Sequence, residues 1–141
     1  MSEEDGIRRT LAQYCQYCDD GRFDDLADLF AKDAVYRVMD QTHEGREQIK
    51  AFMAKAQPPE RRGKHVCGGS LIEIDVSGEQ ARAFTDYVFV APADEGLNVT
   101  SVGRYHDRFV KDGDRWLFAE RAIVFMGGDP PEAGGDEDHE E

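Results

Sequence analysis

The sequence predicts an α+β domain in which three helices are followed by a long, bent sheet. Three observations carry that prediction. Apolar residues recur at helical spacing in three stretches before Ala56, and from Lys64 onward the period changes to two. A Gly68-Gly69 pair interrupts the first long strand, and glycine inside a strand marks a bulge or tight bend. A sheet bent over its own helices encloses a pocket, where buried polar groups become useful.

The first helix is expected from Gly6 to about Asp20. Ile7, Leu11, Tyr14, Cys15 and Cys18 form its buried stripe, and Glu3, Glu4 and Asp5 suit its N-terminus. Gly21 ends it. Asp19 follows the stripe directly. At about 100° per residue it falls on the margin of the apolar face, able to look inward or out to solvent. A second helix is expected from Phe23 to Phe30, burying Phe23, Leu26, Leu29 and Phe30. Lys32-Asp33 then turns into a strand, Ala34 to Val38, and Thr42 to Gly45 reads as a loop. The third helix, Arg46 to Ala56, places Ile49, Phe52, Met53 and Ala56 on one face, and Pro58-Pro59 stop it.

Lys64 to Val76 begins the sheet, with Ile72, Ile74 and Val76 opposite Glu73 and Asp75. Ser77-Gly78-Glu79 is a hairpin turn into Gln80 to Ala91. A loop, Pro92 to Gly96, leads to a strand from Leu97 to Val110. The turn Lys111 to Asp114 opens the last strand, Arg115 to Met126, whose Trp116 reads as core.

At 141 residues the chain is one domain, expected over 1–126. Residues 127–141 hold seven acids and no Lys or Arg, a composition expected to form a solvated, flexible acidic tail. The net charge of −13 argues against nucleic acid as a partner. No stretch approaches the ~18 apolar residues of a membrane span. Three cysteines without a signal peptide point to a reducing cytoplasm and away from a disulfide framework. Cys15-x-x-Cys18 lies mid-helix with no second such pair and reads as two small buried residues.

No H-E-x-x-H or paired C-x-x-C offers a metal site. No phosphate loop, G-x-S-x-G elbow or dinucleotide fingerprint is present either, so neither metal nor cofactor is expected. His43 lies in a polar loop, His106 on a strand between Tyr105 and Asp107, and His139 in the tail. What remains is a carboxylate–imidazole pairing of Asp19 with His65. Each also has a plainer reading, Asp19 as a helix-end cap and His65 as a satisfied structural residue. Arg104 and Asp107 likewise read as a solvated cross-strand charge pattern.

The order apolar helix–Asp–x–x–Phe–Asp–x–Leu–x–x–Leu–Phe–x–x–Asp–Ala–Val, from Tyr14 to Val35, resembles the SnoaL-like branch of the nuclear transport factor 2-like superfamily. Glu44-Gly45-Arg46, Lys64-His65, Gly103-Arg104-Tyr105-x-Asp107, Asp112-Gly113 and Trp116 agree with it, so the resemblance spans about residues 6 to 126. It implies a cone-shaped α+β barrel. A curved mixed or antiparallel sheet wraps three N-terminal helices around a central pocket and associates through its outer face as a homodimer or higher homo-oligomer.

Within that superfamily Asp19 and His65-x-x-Gly68-Gly69 are similar to residues of the scytalone dehydratase branch, and lindane dehydrochlorinase has a comparable dyad. The resemblance implies that Asp19 orients the His65 ring, which removes a substrate proton so that water or halide is eliminated. Cys18 stands where the dehydratases have a polarising tyrosine, Val38 near a second, and Ser101 near a second pocket histidine. Tyr14, Tyr87, Tyr105 or Arg104 is left to supply the polarising group, and strand alternation sets Tyr105 on one face with Ser101 and Val99. The expected pocket residues are therefore Tyr14, Cys18, Val38, Tyr87, Ser101 and Tyr105 around the catalytic pair. The function implied is a cofactor-independent lyase or isomerase, dehydratase- or dehydrohalogenase-like, on a small hydrophobic molecule, cyclic ones included. The alternative is a non-catalytic module of the same fold, binding a small ligand or serving assembly as dioxygenase β subunits do.

Overall fold

In the computed structural model, which describes residues 1–127, three helices lie across one face of a six-stranded sheet. The acidic segment expected at 127–141 lies outside the described residues, Gly127 apart. Helix α1 runs from Glu3 to Asp19, three residues earlier than the apolar stripe indicates. Its start is set by Ser2, whose Oγ accepts the Asp5 amide at 3.1 Å, with Glu3, Glu4 and Asp5 filling the first turn. At the other end Gly21 takes φ +74, and the Gly21 and Arg22 amides return to the Cys18 and Tyr17 carbonyls.

Helix α2, Phe23–Ala27, is shorter than the expected Phe23 to Phe30. Sheet pairing takes its last turn: the Phe118 amide donates to the Leu29 carbonyl at 2.9 Å, and Phe30 already belongs to strand β1, Phe30–Val38. Thr42 to Glu44, expected within a loop from Thr42 to Gly45, belong instead to the short strand β2 (Gln41–Glu44), paired antiparallel with β1. Helix α3, Arg46–Ala56, matches its expected span. Its first residue clamps β1, Arg46 Nε and Nη2 donating to the Phe30 carbonyl at 3.0 and 2.7 Å. A 3-10 turn, Pro59–Arg61, leads into β3 (Lys64–Ile74), β4 (Gln80–Pro92), β5 (Leu97–Asp112) and β6 (Arg115–Phe125).

The strands run in the order β2-β1-β6-β5-β4-β3, all neighbours antiparallel except β1 and β6. The sheet is curved and mixed but unclosed, with β2 and β3 as its edges. The β3–β4 register shifts between Cys67 and Ser70, at the Gly68-Gly69 pair. Further shifts fall between Phe89 and Val90 and between Arg108 and Phe109. Such bulges bend a strand and increase its twist.

Helices and inner sheet face bury a single core, including Ile7, Phe30, Ile49, Phe109, Trp116 and Phe118. Trp116 keeps its polar edge satisfied: Nε1 donates to Glu3 at 2.9 Å, while Thr10 Oγ1 donates to its carbonyl at 2.7 Å. Beneath α1 lies a buried ion pair. Arg121 and Asp107 stand opposite each other on β6 and β5, their side chains 1% and 0% exposed. Two parallel bonds join them, Nε to Oδ1 at 2.8 Å and Nη2 to Oδ2 at 2.9 Å. The solvated charge pattern read for Arg104 and Asp107 is thus divided. Arg104 pairs with Asp86 on the outer face, whereas Asp107 faces the core.

Burial opposes the Arg121 charge, but the Asp107 carboxylate and the neighbouring rings outweigh it and hold the guanidinium firmly protonated. Replacing Asp107 by Ala strands that charge in the core. The expected loss is about 3–5 kcal/mol in denaturant unfolding, whereas Asp107→Leu with Arg121→Met recovers most of it.

Candidate active site

Asp19 closes α1, and His65 is the second residue of β3. Because the Asp20 amide and Gly21 carry the helix end, the Asp19 side chain is not spent on a cap. Both of its oxygens go to His65: Oδ1 lies 2.6 Å from Nδ1 and Oδ2 accepts the backbone amide at 3.0 Å. Their side chains are 5% and 9% exposed. A carboxylate on Nδ1 sets the proton there and leaves Nε2 as the ring's lone-pair nitrogen.

His65 is a partition between two spaces. On one side a groove of about 570 Å³ between α1 and β3 is lined by Asp19, His65, Cys15 and Cys67. On the other, an inner cavity of about 170 Å³ lies beneath the curved sheet. His65 lines both, and Asp19 only the groove. The ring packs against Phe89 at 4.6 Å between centroids, with Tyr87 at 6.2 Å and Tyr14 at 6.4 Å. Asp19 therefore supports His65 from behind.

Of the pocket residues expected from the sequence, Tyr14, Val38, Tyr87, Ser101 and Tyr105 line the inner cavity. Cys18 does not. One turn after Tyr14 on the stripe, its short side chain is wholly buried in the core, and burial pushes its thiol up to about 12. Arg104 is also excluded, held on the outer face by Asp86. Val99 leaves the face of Tyr105 and Ser101 and is 61% exposed, because the β4–β5 register shifts where Phe89 and Val90 meet Ser101 and Val99.

The cavity's polar groups are mostly paired. Tyr87 Oη and Ser101 Oγ lie 2.8 Å apart, and the Tyr87 ring stacks on Tyr105 with centroids at 4.6 Å. That stacking needs Gly103: a Cβ there would stand 2.9 Å from Tyr87 Cε2 and 2.6 Å from the Val124 carbonyl. Tyr14 and Tyr36 share a bond of 2.6 Å between their hydroxyls. Two phenols joined by one bond retain one proton for a further acceptor, with Met53 Sδ only a weak competitor at 3.8 Å from Tyr14. Burial raises Tyr14 and Tyr105 well above the ordinary phenol range and raises Tyr36 and Tyr87 as well, so all four are donors at neutral pH. Gln57 Oε1, also at the cavity, is buried with no partner among the described residues.

A family model for the SnoaL-like domain matches residues 1–122. The chain belongs to the SnoaL-like family. No curated protein matches it in sequence. Among solved structures, this SnoaL-like domain is similar to a Mycobacterium tuberculosis protein of unknown function, in an aspartate-to-asparagine variant. The identity is 24% over 87% of this chain and 71% of that one, with a TM-score of 0.81. A nuclear transport factor 2-like protein with a cystatin-like fold from Novosphingobium aromaticivorans also scores 0.81, at 21% identity over 90% and 84% of the two chains. A protein from the same organism, assigned by name as a scytalone dehydratase, scores 0.76 at 21% identity over 87% and 83%. At such identities the likeness is one of fold.

Two polar residues of the cavity in this SnoaL-like domain escaped the sequence reading. Tyr36 sits on the face of Ala34 and Val38, so alternation along β1 carried a usable signal for it. Gln57 had none, because it lies one residue beyond α3 in a segment without a period. Among the described residues no three His, Cys, Asp or Glu side chains converge as metal ligands, and no helix is long and apolar enough to cross a membrane.

Asp19→Asn should cost about 1–3 kcal/mol in denaturant unfolding, the worth of a charged hydrogen-bond acceptor in a buried pair. Asp20→Asn, on the exposed neighbour, should stay within about 0.5 kcal/mol.

Proposed function

We propose that this domain is a cofactor-independent lyase or isomerase of the dehydratase type, acting on a small, mostly apolar, ring-sized carbonyl compound. The observation that carries this reading is the His65 ring, backed by Asp19, in the wall of a cavity whose polar lining is mostly phenols. Nε2 of His65 would take the proton from the carbon next to the carbonyl, and Asp19 would stabilise the imidazolium that forms. The free proton of the Tyr14–Tyr36 pair would bind the carbonyl oxygen as negative charge builds there. As the C–H bond breaks a C=C bond forms and the β substituent leaves, a hydroxide taking its proton back from His65 to depart as water. The unpartnered Gln57 Oε1 suits a hydroxyl on the ligand. A cavity of about 170 Å³ suits a single ring. Three free thiols fit a reducing compartment, and so the cytoplasm.

The test is turnover of a panel of cyclic β-hydroxy and β-halo ketones by wild type, Asp19→Asn and His65→Ala. Loss of a positioned general base should lower turnover about 10²–10⁴-fold while the accepted compound still binds. Unchanged turnover in both variants would remove the lyase reading.

The reading includes self-association through the outer sheet face. There Val66, Val88, Val102 and Val124 flank a shallow depression of about 610 Å³, and Leu97 and Met126 are exposed at its end of the sheet. Light scattering on a sizing column should return twice the 15.9 kDa chain mass for wild type. Val88→Asp should return the single mass with an unchanged circular-dichroism spectrum, because association would have to strip water from the new charge among the four valines.

A further inference from the structure

The groove behind His65 contains a feature that the proposed elimination does not use. Cys15 Sγ and Cys67 Sγ lie 3.4 Å apart, both thiols free. Cys15 is on α1 one turn before Asp19, and Cys67 is on β3 two residues after His65. The two elements that carry the Asp–His pair are therefore the two that the thiols connect. Cys67 is exposed on the groove, while Cys15 is nearly buried under it. Cys18 is wholly buried and does not line the groove.

We propose that Cys67 and Cys15 are a hydroperoxide-reactive dithiol whose disulfide ties α1 to β3 across the groove. Cys67 is the attacking sulfur: it meets solvent, and the hydrogen bond from Cys15 holds its thiol below the usual range. Its thiolate attacks one oxygen of hydrogen peroxide. An S–O bond forms, the O–O bond breaks, and the departing hydroxide takes a proton to leave as water. Cys15, whose own thiol the same bond pushes far up, resolves the sulfenic acid. The S–S bond forms, the S–O bond breaks, and the second hydroxide leaves with the Cys15 proton as water. Two thiols lose two electrons in all, and one peroxide gains them. Gly68-Gly69 follows Cys67 at the register shift, and a Cβ on Gly69 would meet nothing within 4 Å. That bulge is the slack that lets Cys67 draw toward the helix. The reaction stands on the thiol geometry whether or not His65 is catalytic.

The full chain is treated with a few equivalents of hydrogen peroxide and read by intact mass and non-reducing peptide mapping. A loss of about 2 Da, with a linked peptide fragmented to Cys15–Cys67 and reversal by dithiothreitol, is expected. Cys67→Ser should keep Cys15 and Cys18 as thiols under the same dose. Cys15→Ser should instead leave a Cys67 sulfenic acid that dimedone captures. Oxidation of Cys67 to sulfinic acid in the wild type without a Cys15 link, or a link through Cys18, would overturn the proposal.

Discussion

Arg121 is among the largest fully buried side chains of the molecule, and its charge sets the terms on which α1 packs on the sheet. Asp107 takes two of its donors in the plane of the fork. The faces of the guanidinium are left to aromatic rings, with Cζ 3.5 Å from the Tyr105 centroid, 4.2 Å from Tyr14 and 4.6 Å from Phe118. Tyr14 belongs to α1, so the helix is seated on a cation rather than on a plain apolar surface. From that seat the hydroxyl of Tyr14 meets Tyr36, and the last turn of the helix brings Asp19 to β3. The same charge lowers the cost of ionising the surrounding phenols, partly offsetting their burial.

Within that arrangement the Asp19–His65 bond joins two segments 46 residues apart in sequence. Both aspartate oxygens are used, one on the ring and one on the backbone amide, so carboxylate and imidazole are fixed relative to each other. The ring is then clamped between a carboxylate behind it and Phe89 beside it. Under the proposed elimination, such fixing of the base before a substrate arrives would lower the reorganisation cost of proton transfer.

Much of the fold could be read from periodicity, because α3, β4 and most of β5 each bury one face of a regular pattern. The sequence failed where tertiary pairing overrode local preference. Phe30 has a helical neighbour pattern in Leu26 and Leu29, yet its backbone is captured by Phe118 and Arg46. Residues 41–44 carry no apolar side chain, and only their pairing with β1 makes them a strand. Asp107 looked like a surface charge because its partnership with Arg121 depends on the β5–β6 register, which no local signal specifies. In the site, Asp19 at the stripe's edge and His65 beside the glycine pair were visible residue by residue, as were most of the tyrosines. Helical spacing read Cys18 correctly as a buried stripe residue, and it was the resemblance, which matches it to a far longer tyrosine, that carried it into the expected pocket.

The account turns on which His65 nitrogen is free. Nitrogen-15 chemical shifts of the neutral imidazole report the tautomer directly. With Asp19 holding Nδ1–H, the Nε2 resonance should be that of a bare, pyridine-like nitrogen, and Asp19→Asn should shift the ring toward the mixture of tautomers found in free histidine. A wild-type ring protonated on Nε2 would contradict the account, since the nitrogen left to act on a ligand would then carry a proton and could not accept one.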